Sequence, residues 1–162
     1  MPLTLRPVSP QDDEFLSQLL FESFFEKLSA HLWPEHIREP LLRMQMQGQR
    51  STYAAQYPHA DHALIALDDK PVGRILLDRG PQFHTLVDIV IAKKHRRAGM
   101  GTVLIRSLCI EAEMMRKPMR LNVAADNPAR ALYLRLGFRM LEADELNILM
   151  ERAPGASPLI TP

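Results

Sequence analysis

The stretch from Lys93 to Gly101 reads KKHRRAGMG, so five basic or titratable side chains directly precede two glycines. An apolar run ends near Ile91, and a helical pattern begins near Gly99. Backbone N–H groups in the first turn of a helix lack intrahelical acceptors and lie at the positive end of the helix dipole. Such a turn binds anions, and glycine lets the backbone approach a ligand without an intervening Cβ atom. The segment therefore predicts an anion site, and its cations favour a ligand with several phosphates.

Three alternatives bear on this glycine turn. The glycines could simply ease a tight turn, with the cations solvated. A mononucleotide loop is disfavoured because Gly101 is followed by Thr102 and no Lys-Ser/Thr pair closes the motif. A dinucleotide fingerprint is disfavoured because the third glycine is absent.

A second segment with possible chemistry is NPARALYLRLGF, residues 127–138. Asn127 is a favourable N-cap residue, Pro128 fits the first helical position, and Gly137 suits a helix end. The segment therefore predicts a short helix that carries the hydroxyl of Tyr133.

Together the two segments resemble the GNAT superfamily of N-acetyltransferases. The signature of that family pairs an Arg/Gln-x-x-Gly-x-Gly/Ala turn with a later Asn…Tyr…Gly-Phe helix. RRAGMG at 96–101 matches the turn, and Asn127, Tyr133, Gly137 and Phe138 match the helix. The resemblance covers nearly the whole chain, including the order of its elements. It departs from the family at Lys93, where many members carry proline.

The resemblance implies acetyl-CoA as co-substrate and no metal. The pantetheine arm would lie along the backbones of Ile89, Val90 and Ile91, and Asn127 would help to hold it. Tyr133 would also contact the cofactor, at its sulfur. The remaining cofactor-binding residues that the resemblance implies form the turn, whose amides would take the pyrophosphate: Arg96, Arg97, Ala98, Gly99, Met100, Gly101 and Thr102.

Acetyl transfer to an amine needs a neutral amine, a polarised carbonyl and a stabilised thiolate. By resemblance, an amide near Ile89 would polarise the carbonyl, and Tyr133 would act as general acid toward the sulfur. A tyrosine has a pKa of about 10 and a thiol about 8.5, so Tyr133 would act mainly through a hydrogen bond. The alternative is that Tyr133 only packs its helix onto the sheet.

An alkyl amine has a pKa near ~10.4, so a base or a desolvating site must supply the neutral form. Asp88, just upstream of the predicted pantetheine strand, is the candidate base. The alternative is a cross-strand ion pair between Arg74 and Asp88, with Asp78 opposite His84 in the same hairpin. An ordered water, or a residue from 28–60, could equally serve as the base.

The family resemblance assigns the walls of the acceptor site to the first two helices. The region between residues 28 and 60 could form an aromatic pocket or could supply only packing and surface residues. Its histidines lack convincing metal-ligand spacing. The side chains in question are His31, Trp33, His36, Met44, Met46, Tyr53, Tyr57 and His59.

The elements that must position these groups follow from hydrophobic periodicity and from turn residues. Strands are predicted at 3–8, 62–69, 71–78, 83–91, 119–125, 138–143 and 145–152. Helices are predicted at 9–28, 35–56, 99–116 and 127–138. The second helix is expected to carry Ile37, Leu41, Met44 and Gly48 along one face, and Asp69-Lys70 is expected to form the first hairpin turn.

The order β-α-α-β-β-β-α-β-α-β-β predicts an α/β (α+β) mixed sheet with helices on both faces. Adjacent strands are antiparallel, except that the strand at 119–125 can run parallel to the one at 83–91. We expect a single GNAT-like domain over 1–152 and a Pro-rich, disordered tail over 153–162.

Composition narrows the remaining possibilities. With 20 Lys+Arg against 19 Asp+Glu, no overall charge favours nucleic acid or a membrane surface. The single cysteine, Cys109, excludes an internal disulfide and is expected in the core. The first residues lack the pattern of a signal peptide, so a cytoplasmic location is expected.

The leading prediction is an acetyl-CoA-dependent N-acetyltransferase acting on a small-molecule or peptide amine. The alternative is a non-catalytic acyl-CoA-binding module with the same fold. The sequence leaves open the identity of the amine, the preferred acyl group, and whether edge strands pair to form a homodimer.

Overall fold

The computed structural model describes residues 2–156, and their elements follow the predicted order. The strands are β1 (Leu3–Pro7), β2 (Asp61–Leu67), β3 (Lys70–Arg79), β4 (His84–Ile91), β5 (Met119–Ala124), β6 (Arg139–Ala143) and β7 (Asn147–Arg152). The α-helices are α1 (Asp13–Lys27), α2 (Glu35–Gln56), α3 (Met100–Met114) and α4 (Arg130–Arg135). Short 3₁₀ helices cover Pro10–Asp12, Ala30–Leu32 and Lys93–His95. In this part of the chain no helix is both long and apolar enough to span a bilayer.

The strands form one seven-stranded mixed sheet in the order β1-β2-β3-β4-β5-β7-β6. The pair β4–β5 is parallel, with His84 opposite Met119 and Leu86 opposite Leu121, and the other neighbours are antiparallel. A helical connection between β4 and β5 allows this arrangement, because parallel neighbours need a crossover. The predicted fold class, with its single parallel pair, is confirmed.

The described chain divides into two compact units. The first comprises residues up to 76 together with 88–98, and the second comprises 77–87 together with the residues from 99 onward.

Two apolar clusters build the core of the first unit. In one, Leu16 and Leu19 of α1 pack with Leu64, Val90 and Ala92. The other contains Phe24, Ala30 and Leu42, with Trp33 and Met46 packed against it.

The α2 face that carries Ile37, Leu41, Met44 and Gly48 is not the most buried part of the helix. Leu42 is fully buried, whereas Ile37 and Met44 are 39% and 66% exposed, and a Cβ atom at Gly48 would meet nothing within 4 Å. Apolar residue type alone therefore does not identify the packed face of α2, whose cavity-lining side also carries polar side chains.

The β2–β3 turn lies one residue earlier than predicted. Asp68 and Asp69 both have positive φ angles, of 50° and 65°, and Lys70 already belongs to β3. Two consecutive left-handed residues are typical of a type I′ hairpin turn, whose twist matches that of the flanking strands. Aspartate tolerates this conformation better than most residues, so the Asp-Asp pair takes the place usually held by Asn-Gly.

Helix α3 supplies much of the core of the second unit. Its buried side chains recur at helical spacing and are Met100, Leu104, Ile105, Leu108, Cys109 and Ala112. Cys109 is 0% exposed, which confirms its predicted place in the core. On β7, Ile148 and Met150 are buried in alternation.

Arg152 at the end of β7 is 4% exposed. It donates through Nε to the Leu136 carbonyl and through Nη1 to the Glu113 carboxylate, at 2.8 and 2.7 Å. Glu113 also accepts the Gly155 N–H at 2.7 Å, so residues 153–156 form a turn joined to α3. The rest of the predicted tail, 157–162, lies outside the described residues.

Candidate active site

The turn between β4 and α3 contains left-handed backbone conformations, as its glycines suggest. Arg97 and Gly99 take left-handed conformations with φ of 63° and 80°, and Gly99 is the N-cap residue of α3. The first helical hydrogen bond runs from the Val103 N–H to the Gly99 carbonyl at 3.1 Å. The amides of residues 100–102 therefore precede the hydrogen-bonded ladder of the helix, where an anion can accept from them.

The side chain of Arg96 braces this turn. Its Nε donates to the Ile91 carbonyl at 2.9 Å, and its Nη1 donates to the Glu26 carboxylate at 2.8 Å. The Lys93 N–H donates to the carboxylate of Glu22 at 2.7 Å. Glu22 and Glu26 are four residues apart on α1 and so lie on one helix face. Sequence reasoning did not identify these two carboxylates, although their spacing was visible.

The close approach of β3 and β4 limits which residue can stand at position 73. A Cβ atom there would lie 2.3 Å from the carbonyl oxygen of Val90, inside any real contact distance. The Ala92 N–H donates to the Val72 carbonyl at 2.8 Å and fixes the end of β4 against β3. Gly73 thus sets the position of the strand that carries Ile89, Val90 and Ile91.

Asp88 forms the ion pair that was the alternative to its role as base. Arg74 Nη2 donates to the Asp88 carboxylate at 2.5 Å, and their side chains are 8% and 17% exposed. The sequence placed Asp78 opposite His84 in the same hairpin. In the structure the carboxylate near the His84 ring is that of Glu111, 3.8 Å from Nδ1. Arg79 holds that same carboxylate at 2.6 Å.

A cavity of about 660 Å³ opens in the first unit, walled by α1, α2, β2 and β3. Each helix contributes side chains three or four residues apart, so the wall is one face of each helix. The residues that line the cavity include Asp13, Leu16, Leu20, Arg43, Met46, Arg50, Tyr53, Tyr57, His62, Arg74 and Leu76.

The predicted aromatic pocket is present only in part. Tyr53, Tyr57 and Met46 line the cavity, whereas Trp33 packs against the Leu42 cluster. The other four candidates, His31, His36, Met44 and His59, are exposed.

His62 was missed by sequence reasoning and lies in the cavity wall. Its Nε2 is buried and has no hydrogen-bond partner among the described residues. Burial, and then the positive charge of Arg74, lowers the pKa of the imidazole, so it is neutral at pH 7. Burial and the charge of Asp88 raise the pKa of Tyr53 to about 12, so its phenol stays protonated.

The second unit holds the other predicted site residues. Asn127 Oδ1 accepts the Ala129 N–H at 2.9 Å, one turn before α4 begins, and the residue is exposed. This bond uses only the oxygen of the amide, not its Nδ2 donors. The predicted cap at Asn127 is thus a side-chain-to-backbone turn, and the helix begins three residues later, at Arg130.

Tyr133 is 8% exposed, and its ring meets that of Phe138 edge-on at 5.8 Å between centroids. The Phe138 N–H donates to the Tyr133 carbonyl at 3.0 Å, and Gly137 has a φ of 96°. This pattern is a Schellman helix end with glycine in the left-handed position. The predicted role of Gly137 as the helix end is confirmed.

Comparison with known proteins identifies the family of this chain. The model of the acetyltransferase (GNAT) family matches residues 16–138. No curated protein matches the sequence.

Solved structures share the fold at low sequence identity. The PaiA N-acetyltransferase of Thermoplasma acidophilum, solved with coenzyme A, has a TM-score of 0.69 at 18% identity and covers 94% of this chain and 99% of its own. The ribosomal-protein-S18-alanine N-acetyltransferase of Escherichia coli has a TM-score of 0.64 at 18% identity and covers 97% of both chains. An acetyltransferase of Bacillus subtilis, also solved with coenzyme A, has a TM-score of 0.64 at 14% identity and covers 94% of this chain and 99% of its own. The chain belongs to the GNAT family of acetyltransferases, which are acyltransferases that use coenzyme A.

Proposed function

We propose that this protein transfers the acetyl group of acetyl-CoA to a primary amine by direct attack on the thioester. The observation that carries the proposal is the turn after β4, in which left-handed Arg97 and Gly99 precede the free amides at the start of α3. A Cβ atom at position 99 would meet no described atom within 4 Å, so the space above this backbone is open. An open, amide-rich helix start suits a pyrophosphate.

Within this proposal the amides of residues 97–102 hold the pyrophosphate and the backbone of residues 89–91 holds the pantetheine arm. Arg96 acts differently from its neighbours, since its guanidinium already binds Ile91 and Glu26. It shapes the turn, while Lys93, Lys94 and Arg97 supply attraction for phosphate. Asn127 contributes its Nδ2 donors to the pantetheine.

The chemistry follows the needs of thioester aminolysis. The neutral amine nitrogen attacks the carbonyl carbon, so a C–N bond forms and the C–S bond breaks with its electron pair on sulfur. The nitrogen loses a proton to a base, and the sulfur receives a hydrogen bond or a proton from the hydroxyl of Tyr133. An amide near Ile89 stabilises the negative charge that develops on the carbonyl oxygen.

Two groups of the first unit are proposed as bases. Asp88 is the candidate that the sequence suggests, but its carboxylate already accepts a hydrogen bond from Arg74 Nη2. His62 is neutral at pH 7, lines the cavity and has a buried ring nitrogen to accept a proton. The geometry favours His62 and leaves Asp88 as the group that orients Arg74.

The acceptor then occupies the cavity walled by α1 and α2, as the family resemblance implies. The alternative function is an acyl-CoA-binding module without turnover. A phenolic hydroxyl at position 133 favours catalysis over binding alone, because binding by itself does not need an acid.

The first experiment is a thermal melt of the purified protein with acetyl-CoA, CoA, ATP or NAD. A ligand at about 100 times its Kd adds about 2.7 kcal/mol, a rise of roughly 5–11 °C for a domain of this size. We expect this rise with acetyl-CoA and with CoA, and no rise with ATP or NAD. No rise with either ligand would remove the basis of the proposed function. Release of free CoA thiol in the presence of an amine would then separate the enzyme from the binding module.

A further inference from the structure

Building on the proposed acetyl transfer, we propose that the acceptor amine carries an acid group and an apolar body, the chemistry of an apolar amino acid. The cavity contains guanidinium groups for the acid, among which Arg50 has no ion pair in the described chain, a carboxylate (Asp13) for the ammonium group and an apolar wall for the side chain. This deepens the proposed function by assigning its second substrate class.

Arginine side chains make one part of the wall cationic. Arg43 already has an ion-pair partner, because its Nε lies 3.2 Å from the carboxylate of Glu39. Arg50 has no ion pair among the residues that the structure describes, and its side chain is exposed at the cavity. An acid group of a ligand is the partner that this guanidinium lacks.

Arg74 adds a second guanidinium, one donor of which lacks a hydrogen-bond partner among the described residues. Its side chain is 8% exposed, and one end binds Asp88, but its buried Nε has no partner in the described chain. A buried unsatisfied donor costs free energy, which a ligand acceptor would recover. Both Arg74 and Arg50 also lower the pKa of His62, so their positive charge reaches the part of the cavity where His62 lies.

The same cavity contains acidic and apolar groups. The carboxylate of Asp13 lines it, and Asp88 stands next to it as the partner of Arg74. Leu16, Leu20 and Met46 make an apolar wall. A zwitterion with an apolar side chain uses all three kinds of surface. A polyamine would place an ammonium group against Arg50 and leave the apolar wall without a partner.

The size of the cavity fits this class. A volume of about 660 Å³ lies within the range of small-molecule sites, and it is large enough for an apolar amino acid or a dipeptide.

The test compares matched probes with wild-type protein: phenylalanine, phenylalanine amide and phenethylamine as acceptors, and N-acetylphenylalanine and its amide as products. Acetylation is followed by thiol release, and binding of the two products in the presence of CoA is followed by calorimetry. We expect kcat/KM to be at least about tenfold higher for phenylalanine than for its amide or phenethylamine. We likewise expect N-acetylphenylalanine to bind at least about tenfold more tightly than its amide, since a charge-assisted hydrogen bond is worth this much.

Arg50→Gln should abolish most of this preference, whereas Lys70→Gln should keep it. Lys70 is an exposed residue at the β2–β3 turn, and its substitution removes the same single charge from the first unit. Equal or better use of phenethylamine, or equal binding of the two products, would overturn the assignment. If phenethylamine is acetylated and phenylalanine is not, the proposed acetyl transfer stands, but the acceptor does not need an acid group. If no amine is acetylated, the calorimetric preference for N-acetylphenylalanine over its amide still decides the inference.

Discussion

The carbonyl oxygen of Val90 lies where a Cβ atom on residue 73 would come within 2.3 Å of it, so only glycine fits opposite this strand. Gly73→Ala must push β4 away from β3. We expect the variant to bind CoA at least about tenfold more weakly and to lose stability, because overpacking a tight site costs typically ~1–3 kcal/mol. The measurements are a calorimetric titration with CoA and a denaturant melt.

Gly48→Ala is the matched control for that change. Position 48 lies in α2 with nothing near the added methyl group, and alanine is the better helix former. This control should gain roughly 0.4–1 kcal/mol and should leave CoA affinity unchanged. Wild-type affinity in Gly73→Ala would mean that the pantetheine arm does not depend on this strand.

Tyr133→Phe tests the proposed general acid. The ring keeps its contact with Phe138, so the packing of α4 should be preserved, and CoA affinity should fall by no more than the loss of one hydrogen bond to the sulfur. We expect kcat to fall about 10²-fold or more, the usual scale of general acid–base catalysis. Steady-state kinetics and a CoA titration on the same preparation separate the two effects. Full activity in this variant would assign Tyr133 to packing alone.

The base can be identified from the pH dependence of kcat/KM. His62 has a pKa lowered below its usual 6.5, so its neutral form persists to pH values under 6.5, and the acidic limb of the profile should lie there. His62→Gln should lower kcat/KM about 10²-fold and remove this limb. Asp88→Asn should mainly raise KM, because it releases Arg74. A limb that survives in His62→Gln and vanishes in Asp88→Asn would reverse the assignment.

Stability should depend on pH through His84. The side chain is 0% exposed, its two ring nitrogens have no hydrogen-bond partner in the described chain, and burial lowers its pKa. Because the folded pKa lies below that of the unfolded chain, the unfolded state takes up the proton first as pH falls. The contribution is fully present above pH 6.5 and is lost on acidification toward the folded pKa.

Thermal melts at pH 7.5 and 5.5 check this expectation, with His84→Leu as the comparison. The variant should lose less stability between the two pH values than wild type does. The nearby carboxylate of Glu111 opposes the effect, whereas Lys117 and Arg79 reinforce it. Equal losses in both proteins would assign the acid sensitivity to other groups, among them His62.

Local signals were strong enough to predict most of the fold. The glycine turn, the helix end at Gly137 and the order of elements follow from residues that act on their immediate neighbours, and all of them are confirmed. Apolar residue type did not reveal the packed face of α2, since the side of this helix that lines the cavity also carries polar side chains such as Arg50.

The walls of the cavity were hardest to anticipate. His62 and Arg74 come from separate strands, and only the register of the sheet brings them to the same cavity. The bracing of Arg96 by Glu26 joins residues 70 positions apart, and no periodicity in the sequence predicts such a pair. The Arg74–Asp88 pair could be anticipated because a hairpin joins its two strands.

The burial of Cys109 has a practical consequence for any study of this enzyme. The thiol is fully enclosed by α3 and its neighbours, and burial raises its pKa to about 11, so the reactive thiolate is on the order of one part in 10⁴ at pH 7. Folded protein should therefore contribute almost no background to a colorimetric assay of released CoA. The rate at which Cys109 is alkylated will therefore measure how often the core of the second unit unfolds and exposes this thiol.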